Sequence, residues 1–465
     1  MNAARDEEPG LSLLVHRPGE EPTLLHTGLA SLEHGLPIGP DTTFNVGSVA
    51  KQITAHLILL AAHDDLLRLD QQAAGLLPRL QISDVTVADL VTHRSGIRDA
   101  ESLLSLAGFR DLDHYTADDL RTLAYRQHQR AVPEGRFLYS NTNYLLLAEI
   151  LETVYRSTLP DLAHRYLFDP LDMHSTHFKS DPRHVIPGAA SAYRATHHGW
   201  QHTETPVTLP GPGTLWTTIG DLDRWLTHLH RDWPHEHQLP GQGDLDYQPS
   251  DHRPYFYGPG LYADTSAERT AVFHYGHEQG FSAATHLDAT GLRVICLSNN
   301  ADIAADHITA AVVRGLGEHP ERSTGDVLYQ ASALRQKPKG AGRYQQAHGD
   351  HSPHNELGTF TCDQAPGSLR LTRNADALHL WRRGTRDELT QTGPTTYTGN
   401  GYTLTVAGRT DQLEGFTLDL NRAPGLAYVR QESRGHPPLH RQPAGQPPRL
   451  GPAGQRQPSP PPQEG

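Results

Sequence analysis

At 465 residues the chain is too long for one ordinary domain and points to two or three. A formal net charge of −13 with no Lys/Arg-rich block argues against nucleic acid or an anionic membrane surface as partner. Cys296 and Cys362 are the only two cysteines and lie far apart, which excludes a disulfide framework and a Cys-based zinc site.

The N-terminus, Met1 to Glu8, is polar and acidic, with no apolar core of a leader. No apolar run approaches the roughly 20 residues that span a bilayer, so the expectation is a soluble, cytoplasmic chain without a membrane span. Leu11 to Val15 and Pro22 to Ala30 read as two strands joined by a turn at Arg17-Pro18-Gly19-Glu20. From Ser48 to Leu69 apolar residues recur at helical spacing through Ile53, Leu57, Leu60 and Ala61. Residues 84–97 predict a short helix closed by Gly96, and Asn141 to Tyr155 a helix apolar on most faces. Residues 229–258 read as an insertion-like surface segment. Thr270 to His274, Ser282 to Asp288 and Leu292 to Ser298 then read as antiparallel strands, followed by a helix over Asp302 to Leu316.

Helices between an N-terminal strand pair and a C-terminal strand group predict an α+β fold: an antiparallel sheet flanked by helices, closed by strands distant in sequence. That domain is expected over 1–325 and a linker over 326–341. Residues 342–432 carry six short alternating segments, from Thr359–Cys362 to Ala427–Arg430, the pattern of a small β-barrel or sandwich. The Pro/Gln/Gly-rich tail, 433–465, is expected to be disordered.

Only four of the 40 basic residues are lysines: Lys51, Lys179, Lys337 and Lys339. Lys51 stands three positions after Ser48 where a helical pattern begins, and Lys, unlike Arg, can lose its proton when desolvated. Ser48 and Lys51 at this spacing share one helix face, with the hydroxyl at the positive helix end. By itself the pair fits a helix cap beside a solvated amine equally well. Tyr139-Ser140-Asn141 opens the apolar helix, a position that alone reads as a turn and cap. His274-Tyr275-Gly276 ends a strand with a Gly that lets backbone approach closely. The 31 histidines cluster in polar stretches such as His197-His198, His235-Glu236-His237 and His348 to His354, without helical metal-ligand spacing; they read as surface composition, and no metal is expected.

In this order the segments resemble the serine β-lactamase and penicillin-binding-protein-like superfamily, nearest its class C β-lactamase, D-aminopeptidase and esterase branch. The resemblance covers about residues 10–317. It rests on Asp41-Thr42-Thr43-Phe44-Asn45-Val46-Gly47-Ser48-Val49-Ala50-Lys51-Gln52, Leu90 to Gly96, Tyr139-Ser140-Asn141, Gly211 to Leu222 and His274 to Phe281. It implies a β-lactamase-like fold with an all-α subdomain, and likens the last domain to a lipocalin-like barrel. It further implies Ser48 as acylated nucleophile, Lys51 and Tyr139 as proton carriers, Asn141 as orienting amide, and His274 in the third-motif position. The Ser48 and His277 backbone N–H groups, with Gly276 giving access, would form the oxyanion hole, and no cofactor is implied. The stretches around His93 and Trp216 are expected to be structural.

His274, where many relatives have Lys, supplies no permanent cation, and the Tyr275 ring is expected to crowd a substrate carboxylate. Both favour a serine hydrolase of small esters, amides or peptides over a β-lactamase or D-alanyl carboxypeptidase. A non-catalytic binding module is the alternative outside the enzymes. If the charge of His274 matters, the rate should change through pH 6 to 7. Oligomeric state is not legible.

Overall fold

A computed structural model describes residues 7–109, 113–203, 206–232, 248–249, 255–264, 270–335, 355–374, 377–383, 385–407 and 413–431. The tail after 431, Lys337 and Lys339, and the His235 and His348 to His354 clusters lie outside the described residues; His197 and His198 are exposed.

The first strand of the chain pairs with the last strand, in chain order, of the large sheet. Leu11–His16 lies antiparallel between Thr23–Thr27 and Arg293–Ser298, with Leu13 opposite Cys296. The eight-stranded sheet continues from Arg293–Ser298 through Phe281–Asp288, Ala271–Glu278, Leu261–Asp264 and Phe256–Gly258 to Gln248–Pro249. This closure by distant strands is the expected α+β arrangement, with α8 (Ala305–Glu318) packed on one face. Both cysteines are buried and free.

The helices follow local chemistry. Helix α1 (Lys51–His63) is shorter than the predicted 48–69 at both ends: Gly47–Ala50 form a 3₁₀ turn ahead of it, and the chain leaves the helix after His63, with Asp65 left-handed (φ 56°). Helix α2 (Val87–Val91) starts with a capping box, the Thr86 hydroxyl on the Asp89 N–H and the Asp89 carboxylate on the Thr86 N–H. Asp99 caps α3 (Ala100–Leu106) and Thr116 caps α4 (Ala117–Arg126). Helix α5 (Asn141–Tyr155) is buried along most of its length, as its composition required.

Eight short strands close into a barrel: Asn355–Thr361, Ser368–Arg373, Leu378–Arg382, Thr385–Gln391, Thr396–Thr398, Tyr402–Val406, Gly415–Leu420 and Ala423–Arg430. Two of these, Thr385–Gln391 and Thr396–Thr398, lie in polar sequence without a clear apolar alternation. The barrel is no detached bead: Leu103, Leu106, Leu120 and Leu123 of α3 and α4 join Phe360 and Leu418 of the barrel in one apolar cluster. The described residues up to Arg430 form one compact unit. The expected linker begins inside a helix, α9 (Thr324–Ala331), capped by Ser323. Among the described residues no helix is long and apolar enough to cross a membrane.

Candidate active site

The 3₁₀ turn Gly47–Ala50 places Ser48 at the entrance to α1, partly exposed, with Lys51 directly behind it and fully buried. Lys51 Nζ donates to Ser48 Oγ at 2.9 Å, to Asn141 Oδ1 at 2.8 Å and to the Pro212 carbonyl at 2.9 Å. All three ammonium donors are thereby used, which fixes the amine against the hydroxyl. Burial, with Arg422 adding repulsion, pulls the Lys51 amine down to about 7. Close to neutral pH a large fraction is then uncharged.

Asn141 faces Lys51 with its oxygen because its nitrogen is claimed elsewhere. Nδ2 donates to Glu101 Oε2 at 2.7 Å, and the Asn141 N–H donates to Asp99 Oδ2 at 2.7 Å. Tyr115 OH donates to the other oxygen of Glu101 at 2.8 Å. Tyr139 carries its phenol to the Ser48 hydroxyl, and burial drives that phenol upward, so it stays protonated at neutral pH. Lys51 Nζ lies 5.0 Å from the Tyr139 ring centroid, and the His93 ring packs 4.3 Å away on centroids. His93 is buried in a left-handed conformation (φ 58°). Its Nδ1 accepts from the Ser140 N–H at 3.3 Å and from Asn143 Nδ2 at 3.0 Å, so the ring is clamped beneath Tyr139.

Two backbone segments meet beside Ser48. A Cβ on Gly276 would lie 2.0 Å from Val46 O and 2.7 Å from Ser48 N, so only Gly lets the strand Ala271–Glu278 approach this closely. Gly47 (φ +49°) approaches His277 N in the same way. Ser48 N and His277 N, the pair that the resemblance implies for an oxyanion hole, thus lie on adjoining backbones. A cavity of about 340 Å³ opens there, lined by Ser48, Asn141, His277, Glu101 and Glu278 among others. Burial, followed by repulsion from Glu101, raises the Glu278 carboxyl to about 8.

His274 and Tyr275 sit differently from expectation. His274 is buried a layer below, with Nδ1 paired to Tyr275 O at 2.8 Å and Nε2 to Tyr257 OH at 3.2 Å. Burial pushes the ring to about 3, so it is neutral throughout pH 6 to 7 and contributes no rate change there. Strand alternation turns Gly276 and Glu278 toward Ser48, while Tyr275 stacks on Tyr262 (centroids 5.5 Å, 5°) and lines a separate cavity beside α8. Its ring therefore does not crowd the Ser48 cavity.

Several partners were not legible beforehand: Asp99, Glu101, Glu278, the Pro212 carbonyl, the clamp on His93, and Arg422 of the barrel. Asp99 stands before the pattern Ala100-Glu101-Ser102-Leu103, a helix-cap signal that could have placed Glu101 in the first turn of α3. No local signal marks Arg422.

A β-lactamase family description matches residues 2–319. A D-aminopeptidase of Gluconobacter oxydans is 26% identical over 332 residues, covering 69% of this chain; the chain spans 62% of that relative's length. The crystal structure of SurE superposes with a TM-score of 0.57 at 22% identity, covering 92% of this chain and 96% of that one. D-amino acid amidase from Ochrobactrum anthropi SV3, complexed with L-phenylalanine amide, superposes with a TM-score of 0.56 at 21% identity, covering 70% and 93%. At these identities the structural likeness establishes the fold.

Proposed function

We propose, for a chain that belongs to the β-lactamase family, that it hydrolyses small amides, peptides or esters through an acyl-enzyme on Ser48. The observation that carries this reading is the fully buried Lys51 amine at 2.9 Å from Ser48 Oγ. An amine held to about 7 is a competent base at neutral pH, whereas a phenol kept protonated is a donor. Lys51 takes the proton as Ser48 Oγ attacks the substrate carbonyl. The oxyanion that forms is met by the N–H groups of Ser48 and His277. Tyr139 then relays a proton to the departing amine or alcohol, and water completes the second transfer by the same path.

The lining favours one kind of substrate. The Glu101 and Glu278 carboxyls border the Ser48 cavity, and His274 brings no cation to it. A substrate with a free amino group near the scissile carbonyl fits such a lining, and a carboxylate-bearing β-lactam does not. The D-aminopeptidase relatives and the D-amino acid amidase neighbour agree with this reading.

The test is a panel of D- and L-amino acid amides, p-nitrophenyl esters and nitrocefin, run with wild type and Ser48→Ala. The expected result is turnover of amides and esters above nitrocefin, abolished by Ser48→Ala. Nitrocefin turnover exceeding all amides and esters would reverse the substrate assignment.

A further inference from the structure

The barrel meets the hydrolytic machinery through one side chain. Arg422 occupies the turn between the strands Gly415–Leu420 and Ala423–Arg430, and its guanidinium carbon lies 4.6 Å from the Tyr139 ring centroid. Lys51 Nζ lies 5.0 Å from the same centroid, so the two cations are no more than about 9.6 Å apart. Main-chain contacts hold the turn in place. The Asp99 N–H donates to Arg422 O at 3.0 Å, and Arg98 donates from Nε to Pro424 O at 2.7 Å and from Nη2 to Gly425 O at 3.2 Å. These contacts hold the turn through atoms other than the Arg422 guanidinium.

The groups facing Lys51 show what the guanidinium does there. The carboxyls of Glu101, Asp99 and Glu278 favour an ammonium, as do the ring faces of Tyr139 and Tyr144 at 5.0 and 5.5 Å. The His93 and His274 rings are neutral, both held low by burial. Against the favouring groups stands the permanent positive charge of Arg422. The guanidinium is not among the groups lining the Ser48 cavity, so it acts on the machinery and not on the substrate directly.

We propose that Arg422 is a positioning residue of the hydrolytic site: the barrel delivers a fixed cation to the Tyr139 face, within about 9.6 Å of Lys51 Nζ, so that nucleophile activation depends in part on barrel docking. This rests on the Ser48 reading above. Removing the charge lets Lys51 hold its proton to higher pH, and the acid limb of Ser48 reactivity moves upward. At this separation, discounted for the exposure of Arg422, the displacement is about half a unit to one unit.

The test follows Ser48 labelling by a fluorophosphonate, read by intact mass, from pH 5.5 to 9 in wild type, Arg422→Gln and Arg422→Lys. Hydrogen exchange of the Asp99 amide in each variant reports whether the barrel stays docked. The expected result is a roughly three- to tenfold loss of labelling rate at pH 6 in Arg422→Gln, recovery on the high-pH plateau, and a wild-type limb in Arg422→Lys. A limb unmoved in Arg422→Gln overturns the proposal. So does a loss uniform across pH with faster Asp99 exchange, which marks a purely structural role. Failure of the wild type to label refutes the Ser48 assignment itself, and this proposal with it.

Discussion

Arg98→Met is the perturbation whose consequence the structure specifies most fully. Arg98 is 2% exposed and ties the N-terminal α+β core to the barrel through Pro424 O, Gly425 O and Gln364 Oε1, at 2.7, 3.2 and 3.2 Å. Its own backbone N–H bonds Gln127, so a Met there keeps the chain path and most of the volume. What is lost is a buried guanidinium together with the partners of three acceptors. Taking away three hydrogen bonds from a charged donor costs about 3–4 kcal/mol, a shift of the docked-to-undocked equilibrium on the order of 10²–10³-fold. The Asp99 amide, which donates to Arg422 O across the same junction, reports that equilibrium directly. Hydrogen exchange resolved by mass spectrometry should show it exchanging on the order of 10²-fold faster in Arg98→Met, while the central strand Arg293–Ser298 keeps its protection. Asp99 exchange within about threefold of wild type would refute the assignment of Arg98 as the latch.

Further predictions concern the site. Activity requires Lys51 uncharged, hence pH above about 7, and the raised Glu278 carboxyl ionises near 8, placing a negative charge beside the developing oxyanion. kcat/KM should therefore rise toward pH 7 and fall above pH 8, with Glu278→Gln removing the alkaline limb and, since that carboxyl favours the Lys51 ammonium, moving the acid limb no higher; a fall above pH 8 that persists in Glu278→Gln would contradict this. Glu101→Ala frees the Asn141 amide to turn its nitrogen toward Lys51, and kcat should drop about 10- to 100-fold, with Glu101→Gln milder because it keeps an acceptor. Equal losses in the two variants would show that orientation of Asn141 is not what Glu101 provides. His274→Gln should leave both limbs where they stand, since the ring does not ionise between pH 5.5 and 8; a displaced limb would reassign that ionisation to His274.

Much of the site was legible because its residues are tied to local patterns. The Ser48–Lys51 spacing, the Tyr139-Ser140-Asn141 helix start and the Gly276 strand each carry their own signal, and all three converge on one cleft. The strand Ala271–Glu278 runs past His274, where the apolar pattern ends, to Glu278, and alternation sends Tyr275 to the face opposite Gly276 and Glu278. The ionisation of His274 was unreadable because it depends on burial among Tyr257, Tyr262 and Tyr139, residues that come from separate elements. Arg422 lies furthest from any sequence signal, since its role exists only after the barrel docks on α3 and α4. In the barrel, Thr385-Arg386-Asp387-Glu388 carries no apolar alternation, because the buried Asp387 is paired with Arg382 at 2.9 Å where a strand would otherwise place an apolar residue.

The most direct trial of the whole account is acid-quenched intact mass during turnover of a p-nitrophenyl ester, with peptide mapping of the adduct. An added acyl mass on the peptide containing Ser48, absent in Ser48→Ala, is the predicted result. An acyl group on any other residue, or steady turnover by Ser48→Ala, would contradict it.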